Sequence, residues 1–115
     1  MIRKKNNQRS EARQQMRGGS GEVRLRHQLE QKDLTARCRL CAELTVPPGS
    51  SIGLHEHAGE DEIFIVQSGT GIITENGTDS EITAGDTIVT GNGASHSVKN
   101  TGTADLIITA IILQY

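Results

Sequence analysis

The sequence predicts an all-β fold, a single sandwich or barrel of short strands. Twelve Ile, eleven of them after residue 51, give the β-branched enrichment of strands rather than helices. Thirteen Gly punctuate the chain without a repeating period, and the stretches between them alternate apolar and polar residues. With Phe64 and Tyr115 the only aromatic residues, the core must be built from Ile, Val and Leu. A length of 115 residues with 34% hydrophobic content fits one domain with a modest core.

Charge is divided unevenly. Residues 1 to 17 hold six basic residues, Arg3, Lys4, Lys5, Arg9, Arg13 and Arg17, against Glu11 alone. The overall charge of −2 conceals this contrast. Without interleaved aromatic residues, residues 1–21 read as a basic, solvated, flexible leader rather than a nucleic-acid-binding arm. The domain proper is expected over residues 22–115. No apolar run reaches the roughly 18 residues of a membrane span, and no apolar segment follows the basic N-terminus. A soluble cytoplasmic protein is therefore expected.

Gly18-Gly19-Ser20-Gly21 precedes a first strand over Glu22 to Leu29, with Val23 and Leu25 on one face. Arg37 to Val46 alternates strictly, which defines a half-buried strand ended by Pro47-Pro48-Gly49. Cys38 and Cys41 fall inside it. Residues three apart on a strand point to opposite faces, so the two are expected as reduced thiols, neither bridged nor sharing a metal. Arg37 and Arg39 lie on the polar face and should point away from the interior. Strands follow at Asp61 to Gln67 and Ile72 to Glu75. Asn76-Gly77 then provides the type I′ hairpin signal that leads to Ser80 to Thr83. Thr87 to Thr90, Ser95 to Asn100 and Asp105 to Gln114 complete roughly nine strands. The last, Leu106 to Leu113, is apolar on both faces, so a second subunit is expected to cover the outer one and make a homodimer.

His55 and His57 are two apart, which on a strand places both imidazoles on one face about 7 Å apart at the backbone. Glu62 opens the next strand and His96 comes much later, so a shared ion would tie distant strands together. Neutral imidazoles with one carboxylate suit first-row divalent ions. His27 has no such partner and is expected at the surface or a subunit interface.

These residues resemble the cupins. The first cupin motif is matched by Gly49, His55, His57, Glu62 and Gly69. The second is matched by Gly85, the Gly91-Asn92-Gly93 turn, His96 and Asn100, with Gly91 where Pro is usual. The resemblance implies a double-stranded β-helix, or jelly-roll, cupin barrel. It implies one divalent transition metal per subunit, Mn, Fe, Ni, Co, Cu or Zn, held by His55, His57, Glu62 and His96.

Three imidazoles and one carboxylate leave two adjacent positions on an octahedral ion, suited to a small-molecule ligand that is a bidentate oxygen anion. By period two, Phe64 and Val66 share the face of Glu62 and are expected to line the pocket. Thr109, with Ile107 and Ile111, and either Thr87 and Val89 or Thr90 would complete it. No catalytic acid or base is identified beyond Glu62 or a metal-bound hydroxide. The leading expectation is a metalloenzyme acting on a small oxygen-rich acid, similar to oxalate decarboxylase-like or dioxygenase-like cupins. The alternatives are a cupin that binds or senses a small molecule without turnover and, more weakly, a sugar-phosphate isomerase.

Overall fold

The computed structural model describes all 115 residues. Ten strands follow in chain order: β1 (Arg9–Gln14), β2 (Glu22–Leu29), β3 (Cys38–Val46), β4 (Ser51–Glu56), β5 (Glu60–Ser68), β6 (Thr70–Glu75), β7 (Thr78–Thr83), β8 (Thr87–Gly91), β9 (Ser95–Asn100) and β10 (Leu106–Gln114). Three short 3-10 turns are the only helical segments, and no helix is long and apolar enough to cross a membrane.

The strands form two antiparallel sheets, one of six in the order β1-β2-β3-β10-β5-β8 and one of four in the order β4-β9-β6-β7. The core sits between them. Val23, Leu25, Ala42, Leu44, Phe64, Val66, Ile108 and Ala110 come from the larger sheet, and Ile52, Ile73, Ile82 and Val98 from the smaller. Each fully buried Leu, Ile, Val or Phe contributes about 1.5–3 kcal/mol by leaving water. The predicted all-β class holds, with one correction: the backbone ladders do not join the two sheets into a closed barrel.

Residues 1–21, expected as a basic, solvated leader, are largely exposed and add β1 to the edge of β2, with Arg9 opposite His27 and Arg13 opposite Val23. Polar contacts hold β1, and Met16 just after it packs against the core. Arg9 and Arg13 both grip Glu11, Arg9 also reaches Glu30, and Arg3 pairs with Asp33 at 2.6 Å.

Several local expectations hold. Cys38 and Cys41 are free thiols, and burial pushes the Cys41 thiol up. Asn76 and Gly77 take φ of 47° and 82°, as the hairpin between β6 and β7 requires. Buried Asn100 donates from Nδ2 to the carbonyls of Val46 and Ala104 and accepts from the Gly102 N–H. It therefore ties the end of β9 to β3 and to the approach to β10. At Gly91, the departure from the motif, an added Cβ would fall on the Asp61 carboxylate and lie 2.8 Å from the backbone Glu60 O.

Candidate metal centre

A β-bulge sets the site. Ile52 pairs with Val98 and His55 with His96, so β4 takes three steps where β9 takes two. Ile52 is buried, and strict alternation would turn Leu54 inward. The bulge reverses the phase: Leu54 is 66% exposed and His55 turns inward. His57 follows the end of β4 and pairs with the turn before β9, donating its N–H to Ala94 O and accepting from the Gly93 N–H. Glu62 and Phe64 point inward from β5, and His96 points inward from β9.

The four predicted ligands meet. One donor atom from each of His55, His57, Glu62 and His96 lies within 4.8 Å of the other three. His96 Nε2 is 3.0 Å from His57 Nε2 and 3.2 Å from His55 Nε2. Glu62 Oε1 is 2.9 Å from His96 Nε2 and 3.1 Å from His57 Nε2.

The outer ring nitrogens determine what this cluster can hold. His55 Nδ1 is 2.7 Å from Gly53 O, and a carbonyl can only accept, so Nδ1 carries the proton and Nε2 presents its lone pair. His57 Nδ1 donates in the same way to Glu60 Oε2 at 2.6 Å. Two imidazole lone pairs and a carboxylate oxygen thus converge on one point, a donor set suited to a divalent cation, with Gly53 O and Glu60 fixing the rings from behind. The cluster is geometrically suited to hold one such ion.

Charge reinforces the arrangement. Burial alone would raise the Glu62 carboxyl, but the imidazoles of His55, His57 and His96 gathered around it hold it well below the usual carboxylate range. The Glu62 carboxylate beside it raises His57 against its burial, and Glu60 adds to the effect. Arg39 grips both oxygens of Glu60, at 3.0 and 2.8 Å, and lowers that carboxyl.

Beside the cluster lies a cavity of about 710 Å³. His55, His57 and Glu62 contribute to its lining, together with Met16, Leu25, Leu40 and Ile112. Five cations surround it, Arg9, Arg13, Arg17, Lys32 and Arg39, against the carboxylates of Glu30 and Glu62.

The expected lining is corrected at several positions. Phe64 stacks under His96, with ring centroids 5.1 Å apart, and so supports a ligand rather than the cavity wall. Val66 is buried in the core, one inward position further along β5. Thr109 lies on the opposite face of β10 with Ile107 and Ile111, where its hydroxyl accepts from Gln67. Leu106, Ile108, Ala110 and Ile112 are the residues of β10 that turn inward. On β8, Thr90 is buried while Thr87 and Val89 are exposed.

Arg39 does not point away from the site. Ile112 pairs with Leu40 and Leu113 with Cys38, so Arg39 is the extra residue of a bulge that turns it toward Glu60. His27 is not a surface residue either. It is 6% exposed, and it lines the same cavity as the cluster.

Known proteins with this pattern were found at two levels. An oxalate-binding protein of Thermotoga maritima is 47% identical over 98 residues, which is 85% of this chain and 81% of that one. The crystal structure of a predicted oxalate decarboxylase, also from Thermotoga maritima, superposes with a TM-score of 0.95 at 42% identity over the whole of both chains. The cupin domain of Cnp3 from Schizosaccharomyces pombe has a TM-score of 0.75 at 13% identity, covering 91% of this chain and 69% of that one, and so shares the fold alone. The Cupin_2 family (Cupin domain) matches residues 42–112, the span that carries all four clustered side chains. This chain therefore belongs to the cupins.

Proposed function

We propose that this cupin holds one divalent transition metal at His55, His57, Glu62 and His96 and captures on it a small oxygen-rich dianion of the oxalate class. The observation that carries the reading is a cavity that reaches the ligand cluster and is lined by five cations, of which Arg17 and Lys32 have no carboxylate partner. Such a field draws a dianion inward and rejects neutral diols. The similarity to an oxalate-binding protein supports the same choice of ligand. When bound, the ion would supply Lewis acidity and two sites for chelating oxygens. The protein's own residues orient that chelate: Glu60 and Gly53 fix His57 and His55, and Phe64 backs His96. In this reading the facing sheets are the two halves of a jelly-roll. The half-buried Ile107 and Ile111 on the outer face support a homodimer.

The test is calorimetric titration of the metal-loaded protein with oxalate, 2-oxo acids, a catechol and a sugar phosphate, while CO2 release and O2 uptake are followed. Oxalate should bind at one site per chain. Loss of oxalate binding together with metal in a His55→Ala/His96→Ala variant supports the ligand set, whereas full metal content in that variant refutes it. CO2 release or O2 uptake identifies a decarboxylase or dioxygenase, and binding without either identifies a binding protein. Sedimentation showing only a 12.4 kDa species would refute the dimer.

A further inference from the structure

A fourth histidine faces the metal cavity, and the first strand fixes its orientation. On β2 the inward positions run Val23, Leu25, His27, so the imidazole takes a position that earlier along the strand belongs to the core. Its neighbour across the sheet is Ala42 on β3, followed by Ala110 on β10. The register partners across the next two strands thus carry only methyl groups. His27 Nε2 is 2.7 Å from Glu11 Oε2, and Glu11 is in turn held by Arg13 at 2.7 Å and Arg9 at 2.8 Å. An ionised carboxylate can only accept, so Nε2 carries a proton. Nδ1 makes no hydrogen bond to the protein. It is not among the buried unpartnered atoms, so it is open to the space that His27 lines.

We propose that His27 is a ligand-contacting, specificity-determining residue of this cavity. Its Nδ1–H, present in the imidazolium form, donates to the oxygens of a bound dianion that point away from the ion, and Glu11 is its positioning residue. This inference rests on the oxalate-class reading above. Glu11 from β1 bonds to His27 directly, and the charged groups that share its cavity are Arg9 and Arg13 from β1, Arg17 from the turn after it, Glu30 and Lys32 from the connection after β2, Arg39 from β3 with its partner Glu60, and Glu62 from β5. Glu11 already accepts from Nε2, and a bound dianion supplies the second acceptor that a doubly protonated ring needs. The proton and the dianion therefore enter together. A neutral diol or a monocarboxylate lacks the outer charge and gains nothing from His27.

The test uses zinc-loaded protein, which is diamagnetic, and oxalate as the probe. Metal content, oxalate Kd and the imidazole nitrogen resonances are read for the wild type, His27→Gln and Glu11→Gln. His27→Gln should keep full zinc and bind oxalate at least ten-fold more weakly. Glu11→Gln should lose less. In the wild type, saturating oxalate should move the His27 resonances to imidazolium positions, a change that a purely structural histidine would not show. Oxalate binding by the wild type with unmoved His27 resonances, or an unchanged Kd in a folded His27→Gln, overturns this inference alone. A zinc-loaded wild type that binds no oxalate overturns the ligand reading and this inference with it.

Discussion

The imidazole of His57 donates from Nδ1 to Glu60 Oε2 at 2.6 Å, and Arg39 holds both oxygens of that same carboxylate. This chain fixes the ring's tautomer and keeps Nε2 free for a metal. Outer-shell partners of this kind change metal affinity by about 10–100-fold. Glu60→Ala should therefore lower metal affinity within that range while the fold persists. Arg39→Ala should lower it less, because Glu60 remains. Chelator competition on each variant measures the effect, and wild-type affinity in Glu60→Ala would show that the contact is incidental.

Phe64 is 2% exposed and stacks on His96 with an interplanar angle of 20°. Removing a buried Phe costs about 3–5 kcal/mol in lost transfer energy and cavity formation. Phe64→Ala should therefore show a large fall in its urea midpoint, and reduced metal affinity because His96 loses its backing. Phe64→Leu should recover most of the stability. A Phe64→Ala protein with an unchanged midpoint would contradict this packing role.

The contrast between what spacing revealed and what it concealed has physical causes. His55, His57, Glu62 and His96 were legible because ligand geometry constrains residue type and spacing at once. Arg39 was not, because a bulge breaks the period of two on which its orientation was judged. Thr109 was assigned to the wrong face because β10 is apolar on both sides, so only its partners decide the phase; Ala110 faces inward opposite Phe64. The strand β1 has no apolar alternation at all. Backbone pairing and the Arg9–Glu11–Arg13 contacts hold it, and neither leaves a hydrophobic signature.

The turn before β2 touches the metal centre through glycine. A Cβ added to Gly53 would fall on Arg17 O, and one added to Gly19 would fall on Ser51 O. Gly53 O also accepts from His55 Nδ1. Overpacking of this kind costs about 1–3 kcal/mol. Gly53→Ala should lose that stability and also weaken metal binding, whereas Gly19→Ala should lose stability with a smaller effect on metal. Parallel denaturation and metal titrations separate the two, and equal metal affinities would sever the link between the turn and His55.

Glu11 makes the docking of β1 sensitive to acid. The Arg13 guanidinium, with His27 and Arg9, holds its carboxyl down at about 2, against an ordinary value of 4.5. A carboxyl lowered in the folded state contributes stability that is fully present above 4.5 and is lost as pH falls toward 2. The amide resonances of β1 should therefore show release of the strand across that window. Glu11→Gln should have the strand already loosened at neutral pH and show no such transition. A wild-type transition that persists unchanged in Glu11→Gln would assign it to another group.

Arg17 and Lys32 line the cavity without a carboxylate partner of their own, whereas Arg9, Arg13 and Arg39 are paired. Removing either unpaired cation subtracts charge from the field without stranding an acid. Arg17→Ala and Lys32→Ala should each keep full metal content and weaken oxalate binding several-fold, chiefly through slower association. Exposed charges act through solvent, so raising the salt from about 0.01 M to 0.15 M, which shortens the screening length from about 30 Å to 8 Å, should shrink the difference from wild type. Stopped-flow association at the two salt concentrations reads this directly. Equal rates in all three proteins at low salt would mean that these two cations do not steer the ligand, and would leave dianion selection to His27 and the metal.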